Sequence, residues 1–173
     1  MEKRYNLWSF FLCLFLLVLS LYSLYASINQ IWSIAPPISV LWLMTVSTFI
    51  LGIMGSKYKA SMGAKVRSWL TVLISFSLSA VLLLGIGVIT ITRQPIETTQ
   101  SPDSNYKIDF YTINGGAASA ISVLGVLDGP LWFKKNIYKD INMHKADIEW
   151  NSNDIVTINN HTLNLNKGDI FLD

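Results

Sequence analysis

The chain has 173 residues, of which 51% are hydrophobic and only 14% charged, against roughly 25% charged in an ordinary soluble domain. Residues 1–92 carry seven charged side chains and residues 93–173 the other seventeen. No Asp, Glu, Lys, Arg or His falls between Tyr5 and Ser56 or between Ser68 and Thr92, which excludes a single soluble globular domain and predicts a membrane-embedded half followed by a water-soluble piece.

The first predicted span is residues 7–27. At about 1.5 Å per residue it reaches about 31 Å, enough to cross a hydrocarbon core of roughly 30 Å. Lys3 and Arg4 precede it as a signal peptide's basic segment would. The apolar run is longer than a signal peptide's, however, and Leu24-Tyr25-Ala26-Ser27 puts a bulky residue three before either plausible cut, so a retained helix is expected. Cys13, the only cysteine, lies inside this span and reads as a small apolar residue. The second span, residues 37–55, starts at Pro36-Pro37, where a missing N–H costs nothing. The third covers residues 69–92. Thr48-x-x-x-Gly52 and Ser75-x-x-x-Ser79 place small residues one turn apart, which permits close helix–helix approach. No span carries the buried charges that a transporter or proton channel needs.

Orientation follows from the basic residues. Lys3 and Arg4 lie in the N-terminal tail, and Lys57, Lys59, Lys65 and Arg67 lie in the segment 56–68, expected as a loop, while the 28–36 connection carries no charge. The positive-inside rule therefore puts the tail and the basic segment in the cytoplasm and the C-terminal domain outside a plasma membrane crossed three times. Trp8, Trp32, Trp42 and Trp69 lie mostly near span ends, as an interfacial aromatic belt does.

Residues 93–101 read as a polar linker. From 102 to 173 the signals are those of short strands: Tyr106–Thr112 alternates, Asn114-Gly115-Gly116 and Asp128-Gly129-Pro130 are turns, and Ile155–Ile158 and His161–Leu165 flank Asn159-Asn160 as a hairpin. The expected fold is thus three transmembrane α-helices plus a small all-β domain, an antiparallel sheet, barrel or sandwich. From Arg93 onward the chain holds seven basic and ten acidic residues, a mildly acidic balance that argues against a nucleic-acid surface.

Candidate chemistry is sparse. His144 and His161 are the only histidines and the domain has no cysteine, so neither a zinc site nor any other cofactor is expected. Asp147 and Glu149, two apart on a strand, share a face and offer the one carboxylate pair for acid–base work in a small hydrolase. Their alternation with Ile148 and Trp150 reads instead as a solvated sheet face. Asn114, Gly115 and Gly116 lack the lysine and helix that a phosphate-binding loop requires. Trp132, Lys134 and Lys135 are the remaining candidates for contact with a ligand or the cell envelope; paired lysines also protect edge strands.

Ser101-Pro102-Asp103, Tyr106, Asn114-Gly115-Gly116-Ala117, Lys135-Asn136-Ile137-Tyr138, Ile148-Glu149-Trp150 and Val156-x-Ile158-Asn159 together resemble a family of domains of unknown function, over about residues 101–169. The resemblance implies small membrane-anchored proteins of Gram-positive bacteria, many with one anchor rather than three, and no known activity. That family's pattern tends to Arg-Gly-Glu where this chain has Leu124-Gly125-Val126. The function expected is non-enzymatic: a bilayer-embedded protein presenting an extracytoplasmic β-domain to a membrane-protein or cell-envelope partner. The alternative is an accessory or immunity-type subunit of a larger membrane complex.

Overall fold

The computed structural model describes residues 2–56, 61–116 and 120–173. Lys57 and Lys59 lie outside the described residues. The chain divides into two units, Met1–Leu24 with Ala35–Gly87, and Tyr25–Ile34 with Val88–Asp173.

The uncharged runs form three helices, α1 (Glu2–Ile28), α2 (Ile38–Ser56) and α3 (Met62–Thr92), each long and apolar enough to cross a membrane. Apolar residues ring these helices, as they do where the surrounding solvent is itself apolar, and the side chains that are buried between them are mostly small or hydroxylated. Thr45, Thr48 and Gly52 of α2 and Ser68, Thr71 and Ser75 of α3 are buried. A methyl group on Gly52 would stand 3.1 Å from both Thr71 Cγ2 and Val72 Cγ2, so the glycine sets how closely these helices pack. Thr45, Thr48 and Thr71 donate to the carbonyls of Leu41, Met44 and Arg67 at 2.7, 2.8 and 2.9 Å, so each of these three buried hydroxyls is satisfied within its own helix. Leu16, Leu41 and Leu82 form the apolar part of this core.

Two expectations about boundaries need correction. Lys65 and Arg67 lie in α3, not in a loop: the helix begins at Met62, where Ser61 O accepts from Ala64 N and Lys65 N at 2.9 and 3.0 Å. At 31 residues α3 reaches about 46 Å, longer than the hydrocarbon core, so its basic first turns extend past the apolar stretch. Residues 93–101 are likewise no linker. β1 (Arg93–Gln100) follows α3 with no residue between them.

The strands are β1, β2 (Lys107–Ile113), β3 (Ser122–Asp128), β4 (Lys134–Ile141), β5 (Ile148–Trp150), β6 (Ile155–Ile158), β7 (His161–Asn164) and β8 (Phe171–Leu172). One sheet has the order β1-β2-β3-β4-β8 and the other β5-β6-β7. All pairs are antiparallel except β4–β8, which is parallel. Ile108, Phe110, Val123, Leu127, Ile137 and Tyr138 from the first sheet share one core with Val156, Ile158 and Leu163 from the second, the arrangement of a small sandwich. Tyr138 links the layers. Its hydroxyl donates to Asp140 Oδ2 at 2.8 Å and accepts from Asn159 Nδ2 at 2.9 Å, and burial with the adjacent Asp140 pushes its ionisation upward.

Candidate interaction surface

The β3–β4 connection brings three of the sequence candidates to one end of the sandwich. Gly129 N donates to Phe133 O at 2.8 Å and Phe133 N to Pro130 O at 3.2 Å, which folds residues 129–133 into a tight hairpin tip. The tip lies against the connection between α1 and α2. Ser33 N donates to Lys134 O at 2.9 Å, Lys134 N returns to Ser33 O at 3.4 Å, and Trp132 Nε1 donates to Ile34 O at 2.9 Å. Trp32 covers Gly129 so closely that a Cβ there would come within 2.6 Å of the indole Cζ3.

Lys134 is also committed through its side chain. The pairing of β2, β3 and β4 puts Lys107, Asp128 and Lys134 in one cross-strand row. Asp128 contacts Lys107 at 3.1 Å and Lys134 at 2.9 Å, while Asp109 contacts the same two lysines at 3.4 Å each. Burial raises the Asp109 carboxyl's affinity for a proton, but the Thr98 hydroxyl and the two ammonium groups outweigh it and hold the group below the usual carboxylate range. Desolvation opposes the charge of Lys134, yet its bond to Asp128 and the nearby acids keep it above its ordinary value. Two positive and two negative charges cancel locally, so this patch offers no net charge to an ionic ligand. Lys135 reaches Gly168 O at 3.4 Å instead of joining the cluster.

The other candidates stand apart. Asn114 Oδ1 accepts from Gly116 N at 3.0 Å, closing an Asx turn in which Asn114, Gly115 and Gly116 are all exposed. Asn114 N donates to Thr92 O at 2.9 Å and so ties the turn to the end of α3. Asp147, just before β5, and Glu149, within it, are both exposed. The His161 ring stacks on Phe171, centroids 3.5 Å apart, and lines a shallow hollow with Asn160 and Asp169. Among the described residues, no three His, Cys, Asp or Glu side chains converge as metal ligands. Of the basic residues that predict orientation, Lys3 and Arg4 lie in the first turn of α1 and Lys65 is exposed on α3.

A residue that composition did not single out completes the helical unit. Asn6, buried in α1, donates to Ala64 O at 3.0 Å and to Ser68 Oγ, and accepts from Arg67 Nε at 3.4 Å. A lone polar residue between Tyr5 and an apolar run is the signal that could have marked it.

The family model for DUF5412, a family of unknown function, matches residues 67–172. The chain belongs to this family. The DUF5412 match takes in most of α3 and all eight strands, and leaves out α1, α2 and the connection that pairs with Lys134. Searches of curated proteins and of solved structures found no match. Within the DUF5412 region, Leu124 and Val126 lie on the sheet face opposite the shared core and are nonetheless only 3% and 4% exposed. Val126 pairs with Asp109, so an apolar side chain stands beside the ion cluster where the resemblance implies an acid. Gly125 between them faces the core. A Cβ there would meet Phe110 Cε1 at 3.0 Å and Tyr138 Cβ at 3.1 Å.

Proposed function

We propose that this DUF5412 member is a multi-pass plasma-membrane protein that holds its β-sandwich outside the cell to bind a partner there, without catalysing a reaction. The N-terminus and the basic 57–67 segment are then cytoplasmic. The observation that carries the reading is the pairing of Ser33 and Ile34 with the β3–β4 hairpin. Three spans require the α1–α2 connection and the sandwich to share a side, and the charge-free connection is the one the positive-inside rule sends outward. The binding role is supported by the surface chemistry: the clustered lysines and aspartates neutralise one another, and Asp147 and Glu149 stand open to solvent. The partner is a membrane protein or a cell-envelope component. Alkaline phosphatase and green fluorescent protein fused after Asp173 test the orientation. The phosphatase should be active and the fluorescent fusion dark; the reverse pair of results would put the sandwich in the cytoplasm and end this reading.

One observation favours a second reading, an accessory or immunity-type subunit. Leu17, Leu73, Ile74, Ser77, Leu78 and Val81 line an apolar groove of about 430 Å³ between α1 and α3, a shape suited to a neighbouring helix. In-membrane crosslinking from Leu73 distinguishes the two, since a subunit requires a stoichiometric adduct.

A further inference from the structure

We propose that the β3–β4 hairpin tip, with Leu131 and Trp132 at its apex, is a membrane-surface anchor that seats one end of the sandwich in the headgroup layer of the bilayer its own helices cross. The proposal rests on the reading that α1, α2 and α3 span a membrane, and does not depend on which side the sandwich occupies.

Chain length supplies the first argument. Trp132 Nε1 is bonded to Ile34 O at 2.9 Å, and Ile34 is four residues before the start of α2 at Ile38. Four residues span at most about 14 Å, and the headgroup layer adds roughly 5–8 Å to each side of the hydrocarbon core. The hairpin tip is therefore fastened to a segment that cannot leave the vicinity of the membrane surface.

Side-chain chemistry supplies the second. Leu131 is 83% exposed and Trp132 45% exposed, and Ile31, Trp32 and Ile34 beside them are also open. Tryptophan suits the boundary because its ring is apolar and its N–H remains satisfied, here by the Ile34 carbonyl. No charged residue interrupts the tip between Asp128 and Lys134, or the connection between Ile28 and Ile38. The nearest charges, Asp128 and Lys134, are paired with each other at 2.9 Å.

Backbone geometry supplies the third. Leu131 has φ of 61°, a left-handed conformation that a branched side chain avoids. The hairpin accepts this conformation while leaving a large apolar side chain outside the core. A water-facing turn would be better served there by glycine or asparagine.

The test uses the full chain with Cys13→Ala, reconstituted in phosphatidylcholine–phosphatidylglycerol vesicles and carrying one environment-sensitive fluorophore on a cysteine at Leu131, Ile31, Leu84 or Glu149. Leu84 is a lipid-exposed position within α3 and Glu149 is a solvent-exposed position on β5. The expected result is that labels at Leu131 and Ile31 emit to the blue of the Glu149 label. They should be quenched several-fold more by a lipid with a nitroxide near its headgroup, and several-fold less by iodide. If both are quenched by iodide as strongly as the Glu149 label, the tip stands in water and the proposal is wrong. If both are shielded from iodide and from the nitroxide lipid, the tip is covered by protein, which also overturns it. An iodide-accessible label at Leu84 would remove the spanning reading itself, whereas a lipid-quenched Leu84 label with aqueous Leu131 and Ile31 labels removes the anchor alone. The Ile31 position keeps the result readable should Leu131→Cys fail to fold.

Discussion

Gly125 is held in place by what lies across from it. Phe110 and Tyr138 close over the space where its side chain would be, so Gly125→Ala presses on the buried Phe110 ring and on the Cβ of Tyr138. Overpacking of this kind costs about 1–3 kcal/mol, and thermal unfolding of the full chain in detergent should show a matching fall in the sandwich's transition; an unchanged transition would mean the core can yield. Asn159 does three jobs at once. It adopts φ of 54° at the hairpin turn, donates to the Tyr138 hydroxyl at 2.9 Å, and accepts from Asp147 N at 2.9 Å. Asn159→Gly keeps the turn and loses the two bonds, a cost of about 1–2 kcal/mol. Asn159→Ala also meets the left-handed penalty and should cost about 1–2 kcal/mol more, so the difference between the two variants isolates the backbone term. The sequence marked Asn159 as a turn residue from its place between two alternating runs. Its bond to Tyr138, 21 residues away, has no local signature.

Among the elements, the strand pairs carry the pH response. Asp109 titrates below its ordinary value in the fold, so it adds stability above about pH 4 that is lost as pH falls through the folded-state value. Lys107 and Lys134 titrate above theirs, so their contribution is whole below about pH 10 and fades only as pH rises further. The lysine ends are half exposed to water, which weakens the attraction. Asp109→Asn should therefore destabilise the sandwich by about 0.5–1 kcal/mol at pH 7, and the two transitions should converge once pH falls below the folded-state value of Asp109. A gap that persists in acid would assign the loss to the Thr98 bond at 2.9 Å instead. Legibility differed between elements for physical reasons. The three helices are written in charge-free runs, and the β6–β7 hairpin in an alternation with Asn-Asn between its halves. β1 was hidden because it is an edge strand exposed on both faces, so it shows no alternation. Pro95 sits where an edge tolerates it, next to a bulge between Pro95 and Glu97. β8 is two residues long, too short for any pattern, and the sandwich itself became distinct from a single sheet or barrel only through the long-range pairing.

At the scale of the whole molecule, the family match and the structure divide the chain differently. The match begins at residue 67, yet the sandwich's unit also includes Tyr25–Ile34. A chain starting at Arg67 should still fold its sandwich. It would lose the Ser33–Lys134 pairing and leave the Trp132 indole without its acceptor. Its unfolding transition should fall by several degrees relative to the full chain in the same detergent, and equal transitions would show the connection to be a passive neighbour. This contact also explains why the candidate residues were only half legible. Trp132 and Lys134 look like ligand contacts in sequence because their partners at Ile34 and Ser33 lie 98 or more residues away. The junction at Thr92 and Arg93 carries a further consequence. Thr92 O holds Asn114 N, and Arg93 is already paired with Ile113. One residue inserted there would exchange the two faces of β1 or be looped out at the expense of the Thr92 bond, since strand side chains alternate with every step. An insertion at this junction therefore disturbs either the β1–β2 register or the bond between Thr92 and Asn114.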